Sequence, residues 1–270
     1  MGAAPPFNDT TTAGNAGGRP IRLLSWNIQA ATATARYHHY VTHGWKQFLP
    51  HAERVRVLDS IATLVADYDI AGLQEVDAGS LRSGFINQTK YLAERAGFPV
   101  WHHQLNRRVG KIARASNGLL SRLPVAAVNE HRLPGTFPGR GALWVRYAAA
   151  DTRDWVLVVA HLALGRRARE SQLAEIAERL ADWPQAIVMG DFNTPLEAAE
   201  IRRFLSRTGL DRPGEAPLTF PSWRPQRALD HIFITRGLEV ESYGVVDTTL
   251  SDHRPVAMTL RVPAEIKEQR

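Results

Sequence analysis

Ala186-Ile187-Val188-Met189-Gly190-Asp191-Phe192-Asn193-Thr194 runs from an apolar stretch straight into polar residues. Four consecutive apolar residues suit a buried strand. Gly190 permits a sharp exit from it. If the chain stays extended, Asp191 and Asn193 share a face while Phe192 points into the core. A carboxylate beside an amide can bind a water nucleophile and a phosphoryl oxygen. An Asx turn closing the strand is the structural alternative.

The same arrangement recurs along the chain. Further apolar runs lie at Ile21–Trp26, Ile70–Gln74, Gly118–Ser121, Leu143–Tyr147, Trp155–Ala160, His231–Thr235 and Val256–Val262. Asn27, Glu75, His161 and Asp191 each follow such a run, whereas Asn117, Asp230 and Asp252-His253 each precede one. If these residues converge on one site, the first group's strands run toward it and the second group's run away. The sheets must then contain antiparallel pairs, which argues against a purely parallel doubly wound fold. The expectation is mixed sheets packed face to face, with helices outside. Helical spacing is present at Arg54–Tyr68, Gln88–Ala96, Arg169–Ala181 and Leu196–Arg207. No fixed-period repeat or internal low-complexity linker interrupts these elements, so one domain over residues 20–263 is expected. Residues 1–19, rich in Gly, Ala, Thr and Pro, read as a disordered tail, and 264–270 as a C-terminal tail.

Composition narrows the chemistry. The 270 residues include no cysteine, which excludes disulfides, thiol nucleophiles, Cys-ligated zinc and iron–sulfur clusters. A formal charge of +6 favours an anionic partner such as nucleic acid, a phospholipid surface or a phosphorylated small molecule. An Arg-rich solvated surface would give the same balance. No apolar run approaches the roughly 20 residues of a membrane span. The N-terminus lacks the charged and apolar regions of a secretory signal. The cytoplasm is therefore the expected compartment.

Four other segments carry candidate chemistry. Glu75, in Leu73-Gln74-Glu75-Val76-Asp77, ends an apolar strand, where a hard oxygen ligand suits Mg2+ or Mn2+. An exposed strand-end glutamate is the alternative, and Asp77 reads as a surface or loop residue. His253, in Ser251-Asp252-His253-Arg254-Pro255, could act as a general base on water. A Ser–His–Asp acyl-transfer triad fits poorly, because no nucleophile-elbow signature surrounds Ser251. Asp230 opens a strand and could orient a histidine, while His231 alternates to the other face and reads as structural. His161 ends a very apolar strand, either as a core histidine or as a donor to a developing oxyanion. His38, His39 and His43 show no further ligand pattern, and Tyr37–His51 reads as a packed loop rather than a substrate wall. Arg166-Arg167-Ala168-Arg169 reads as a solvated helix face.

The ordered set Trp26-Asn27, Gln74-Glu75, Asn117-Gly118 with Ser121-Arg122, His161-Leu162, Gly190-Asp191-Phe192-Asn193, Leu229-Asp230 with Ile232, and Ser251-Asp252-His253 resembles the endonuclease/exonuclease/phosphatase superfamily. The resemblance spans about residues 20–262. It implies a four-layer α-β-β-α sandwich: two mixed, largely antiparallel sheets with helices on both outer faces. It implies Mg2+ or Mn2+ at Glu75, with Asn27 and Asp252 nearby. It implies catalytic roles for Asp191 on the attacking water, Asn193 on a phosphoryl oxygen, His161 on the scissile phosphate, and His253 as base or transition-state stabiliser oriented by Asp230. Asn117, Arg122 and Arg227 are the substrate-binding candidates. The function expected is metal-dependent hydrolysis of phosphodiesters, with nucleic acid favoured as substrate and a monomer as the working form. A phospholipid head group or small phosphoester is the alternative substrate. An inactive binding module is disfavoured, because every expected polar position is filled. Arg107-Arg108, Arg140, Arg166-Arg167 and Arg224 to Arg227 could follow a nucleic-acid backbone or meet anionic lipid head groups.

Overall fold

The computed structural model describes residues 20–31, 51–135, 139–148 and 154–261. Both expected tails, His38, His39, His43 and the rest of the Tyr37–His51 segment before His51 lie outside the described residues.

Twelve strands are described: β1 Pro20–Asn27, β2 Ile70–Asp77, β3 Val100–Val109, β4 Ala113–Ser121, β5 Ala127–Arg132, β6 Gly141–Tyr147, β7 Trp155–His161, β8 Ala186–Asp191, β9 Leu210–Asp211, β10 Asp230–Thr235, β11 Glu239–Val245 and β12 Val256–Arg261. The described α-helices are α1 His51–Val65, α2 Gln88–Ala96, α3 Arg166–Leu180 and α4 Ala199–Thr208. One sheet has the order β11-β12-β1-β2-β4-β3 and the other β5-β6-β7-β8-β10-β9. The expected α-β-β-α sandwich is thus the fold.

Burial follows the period-2 alternation of the strands. In the first sheet Ile21, Leu23, Ile70 and Leu119 face the second sheet, where Leu157, Val159, Ile187, Met189 and Ile232 meet them. The opposite face of the first sheet, with Leu24, Trp26, Ala71 and Leu73, is covered by Leu58, Ile61 and Val65 of α1 and Leu92 of α2. The outer face of the second sheet, with Val156, Val158, Val188 and Phe233, is covered by Leu173 and Ile176 of α3 and Ile201 and Phe204 of α4. Arg169 of α3, read from sequence as solvated, is buried against Glu200 of α4 at 2.8 Å. The pairing leaves neither charge unsatisfied between the two helices.

Among the described strands each sheet carries one parallel pair near its centre, β1 with β2 and β7 with β8, and the other pairings are antiparallel. The parallel pairs deliver Asn27, Glu75, His161 and Asp191 to one end of the sandwich. Antiparallel β10 starts at that end, with Asp230 opposite Asp191. The strand-direction argument therefore holds, with one correction. Asn117 does not precede a strand but lies inside β4, paired with Gln104 of β3.

Candidate active site

Asp191 is the pivot. Its Oδ1 accepts the Asn193 amide at 2.9 Å, and its Oδ2 accepts from Asn27 Nδ2 at 3.0 Å. The same Oδ2 lies 3.4 Å from His161 Nε2 and 3.9 Å from His253 Nε2. The Asx turn and the site are one arrangement: the turn puts Asn193 at φ 53°, Phe192 goes into the outer core, and Asn193 Nδ2 donates to Leu162 O at 3.0 Å. Gly190 has φ 150°, and a Cβ there would overlap the Ala160 carbonyl oxygen of β7. Only glycine permits this close approach just before the carboxylate.

Glu75 reaches the site by a different device. Strict alternation would place it beside Leu73, under the helices. Instead the β2–β4 register shifts between Leu73 and Val76, and Glu75 adopts φ 57°. Such a bulge re-aims one side chain out of the alternation. The Glu75 side chain is 37% exposed, and its Oε1 lies 3.9 Å from His161 Nε2. A left-handed glutamate costs about 1–3 kcal/mol and persists only where the surroundings enforce it.

His253 sits in a loop pinned on several sides. Trp26 Nε1 donates to its carbonyl at 2.9 Å, and Ser251 Oγ donates to Asn27 O at 2.7 Å. Ser251 is thereby a structural brace. The imidazole Nδ1 is 2.8 Å from Asp230 Oδ2. Burial alone would lower the pKa of His253, but the surrounding carboxylates Asp230, Asp191 and Asp252 overcome it and raise it to about 10. Burial, reinforced by Asp230 and opposed by His253, holds Asp191 well above the usual carboxylate range. Burial lifts Asp252 to about 6, with Glu75 adding to the rise and His253 opposing it.

Arg140, assigned from sequence only to a basic surface, lies in this site. Its Nη1 is 2.8 Å from both ring nitrogens of His161. Burial, then the charges of Arg140 and His253, hold His161 well below the ordinary histidine value. His161 is thus a neutral ring between an arginine and Asp191. A sequence signal for Arg140 existed only in its Gly139-Arg140-Gly141 context, which leaves the backbone free to approach β3; nothing local indicated the histidine it meets.

Two substrate-binding candidates need correction. Arg122 Nε, Nη1 and Nη2 donate to the carbonyls of Tyr68, Gly97, Ala66 and Ala96 at 2.9–3.1 Å. Its guanidinium also covers the Phe98 ring at 4.4 Å. It ties together the C-terminal ends of α1 and α2, where four of its five N–H donors are spent. Asn117 is wholly buried, and its Nδ2 donates to Gly141 O at 2.9 Å, joining the two sheets. Arg227 is exposed and lies 4.9 Å over the Phe220 ring, which itself packs 4.9 Å from His253. Asp77 is a further correction: it is buried, and accepts from Gly79 N, Ser80 N, Ser80 Oγ, Ser83 Oγ and Arg82. Those donors organise the turn after β2, a tertiary reason for a buried carboxylate. His231, as expected, is structural, with Nε2 at 3.0 Å from Thr194 O.

A model of the endonuclease/exonuclease/phosphatase family matches residues 24–253. The chain belongs to that family. No curated protein sequence matches it. Among solved structures it is similar to a family protein of Beutenbergia cavernae, at 21% identity and TM-score 0.69, covering 91% of this chain and 72% of that one. It is also similar to a mannosyl-6-phosphatase of Bacteroides thetaiotaomicron, at 20% identity and TM-score 0.66, covering 90% and 100%. The human nocturnin catalytic domain, solved with a bound sulfate anion, aligns at 19% identity and TM-score 0.66, covering 89% and 94%. At these identities the likeness is one of fold.

Members of this family are phosphoester hydrolases that use a divalent metal ion. The donor chemistry at the end of the sandwich fits one. Glu75 and Asp252 are carboxylates close enough for Glu75 to push the Asp252 pKa up, a repulsion that a hard cation between them relieves. Asp191, Asp230 and His253 form a second cluster, with ligand atoms all within 4.8 Å of one another. In that cluster His253 Nδ1 is already bonded to Asp230, so only Nε2 is left for a proton or an ion. Among the described residues no helix is long and apolar enough to cross a membrane.

Proposed function

We propose that the protein is a divalent-metal-dependent phosphodiesterase acting on nucleic acid. The observation that carries this reading is the meeting of His161, His253 and Asn27 around one oxygen of Asp191, with His161 also lining an arginine-rich groove. Phosphodiester cleavage needs a positioned water, charge neutralisation on the non-bridging oxygens, and a stabilised leaving oxygen.

Asp191, with its raised pKa, is suited to take a proton from water near neutral pH. Asn27 orients the Asp191 carboxylate. His253, held protonated by Asp230, donates to a phosphoryl or leaving oxygen and stabilises the charge that develops there. His161, kept neutral, and Arg140 face the scissile phosphate. Asn193 holds the turn that aims Asp191 and is the candidate for holding a phosphoryl oxygen. Glu75 and Asp252 would hold Mg2+ or Mn2+; the Asn27 Oδ1, which accepts from Gln29 N, has a second lone pair to add. Such an ion supplies Lewis-acid neutralisation of a phosphoryl oxygen.

A second reading, hydrolysis of a small phosphomonoester, is favoured by the similarity to a mannosyl-6-phosphatase. The test is turnover of bis-p-nitrophenyl phosphate, p-nitrophenyl phosphate, plasmid DNA, single-stranded DNA and RNA, with Mg2+, Mn2+ or EDTA. Metal-dependent cleavage of the diester and a nucleic acid is expected. Cleavage of the monoester alone would replace the first reading with the second.

A further inference from the structure

An open groove of about 1240 Å3 leads away from Glu75 and His161. Its walls come from the end of β3, the segments flanking Arg132 and Arg140, and the Ala163–Ala168 approach to α3. Arg107, Arg108, Arg132, Arg140 and Arg167 line it, and among the described residues Glu75 is the one acidic group in the lining. That glutamate sits at the catalytic end, so among the described residues the charged groups lining the remainder of the groove are arginines.

Arg107, Arg108, Arg132 and Arg167 are exposed. Among the described residues none of the four pairs with a carboxylate, whereas Arg82, Arg95, Arg146, Arg166, Arg169, Arg179, Arg203, Arg236, Arg254 and Arg261 all do. Packing fixes part of the wall. Gln172 donates to Pro134 O at 2.9 Å and accepts from Ala163 N at 2.9 Å, joining two segments of the lining. Like charges gathered in a concave site repel one another, and a multiply charged anion is the ligand that removes the repulsion. Guanidinium groups suit phosphate because they bind it bidentately.

We infer that this groove binds a second phosphate of the substrate, one ester unit away from the scissile one. The inference rests on the phosphodiesterase reading for the position of the scissile phosphate. It deepens that reading by requiring a substrate with at least two phosphates on one backbone. A substrate with a single phosphate would leave Arg107, Arg108, Arg132 and Arg167 without an anion.

Binding can be measured separately from turnover. Titration calorimetry would compare thymidine 3′,5′-bisphosphate with thymidine 5′-monophosphate, in Mg2+-containing buffer. The wild type should bind the bisphosphate roughly ten-fold more tightly or better, an advantage that shrinks as salt rises. In the double variants R107Q/R108Q and R132Q/R167Q the affinity ratio should fall toward one. Arg212→Gln, an exposed arginine outside the groove, should leave the ratio unchanged. All variants should melt as the wild type does, since the substituted side chains are exposed. Equal affinities in the wild type, or a ratio that survives both double variants, would overturn the inference. Hydrolysis of the p-nitrophenyl ester of thymidine 5′-phosphate is scored independently. A failure there removes the phosphodiesterase reading without deciding the groove.

Discussion

Asp230 Oδ2 and His253 Nδ1 stand 2.8 Å apart, with side chains 0% and 7% exposed. The partners are joined across 23 residues of sequence, from a strand of one sheet to a loop entering the other. The contact sets both the ring orientation and the charge of the imidazole that faces Asp191. Asp230→Asn keeps the shape and removes the charge. Turnover should fall by roughly 10²–10⁴-fold, the range for a mispositioned acid–base group. The His253 pKa, read by NMR, should drop as well. Unchanged turnover with a lowered pKa would show that His253 does not act in the reaction.

The pH dependence follows from two raised values. Asp191 must be ionised to accept a proton, so activity should be lost as pH falls through its elevated pKa. His253 must keep its proton, so activity should decline as pH rises through about 10. Its folded value lies above the ordinary 6.5, so the stability it contributes is full below about 6.5 and is lost as pH rises toward 10. A bell-shaped kcat profile and a falling melting temperature across that window are expected. His253→Gln should flatten the stability slope; a slope that persists would assign it to other groups.

Removing Arg122 separates a structural role from a substrate-binding one. Arg122→Ala deletes donors to four carbonyls at the ends of α1 and α2. Charge-assisted bonds contribute about 1.5–3 kcal/mol each, and the freed carbonyls regain water, so a loss of roughly 2–3 kcal/mol is expected by urea denaturation. KM should be unchanged at a temperature where the variant is folded. A raised KM without loss of stability would restore Arg122 to the substrate.

Metal binding should show without any substrate. Mg2+ or Mn2+ at about 100 times its Kd stabilises a folded protein by about 2.7 kcal/mol. The melting temperature of the wild type should rise with metal and return with EDTA. Glu75→Gln and Asp252→Asn should each blunt the rise while melting cooperatively in EDTA. A full metal shift in both variants would move the ion to the Asp191, Asp230 and His253 cluster.

The strands that sequence made plain are the interior ones, and the four it missed, β3, β5, β9 and β11, are the sheet edges. An edge strand shows less apolar character because water reaches it. Glu130 of β5, Asn106, Arg107 and Arg108 of β3, and Glu241 of β11 break the apolar runs on which strand recognition depends. The candidate site residues are legible for the opposite reason. A carboxylate, amide or histidine at the end of an apolar run stands out against its neighbours, as Asp191 does after Met189 and Gly190.

Sequence by itself, through the order of its polar residues around apolar runs and its resemblance to the family, pointed to the sandwich, the mixed direction of its strands and one end at which Asn27, Glu75, His161, Asp191, Asp230, Asp252 and His253 gather. Alternation and order along the chain carry that information locally. Only the tertiary structure decided how each of them arrives. Glu75 needs a bulge to leave the helix-facing side, Arg140 meets His161 across two strands, and Arg122 and Asn117 turn from substrate candidates into braces. A guanidinium or an amide takes whatever partners long-range packing brings within 3 Å, and spacing along the chain does not encode those partners.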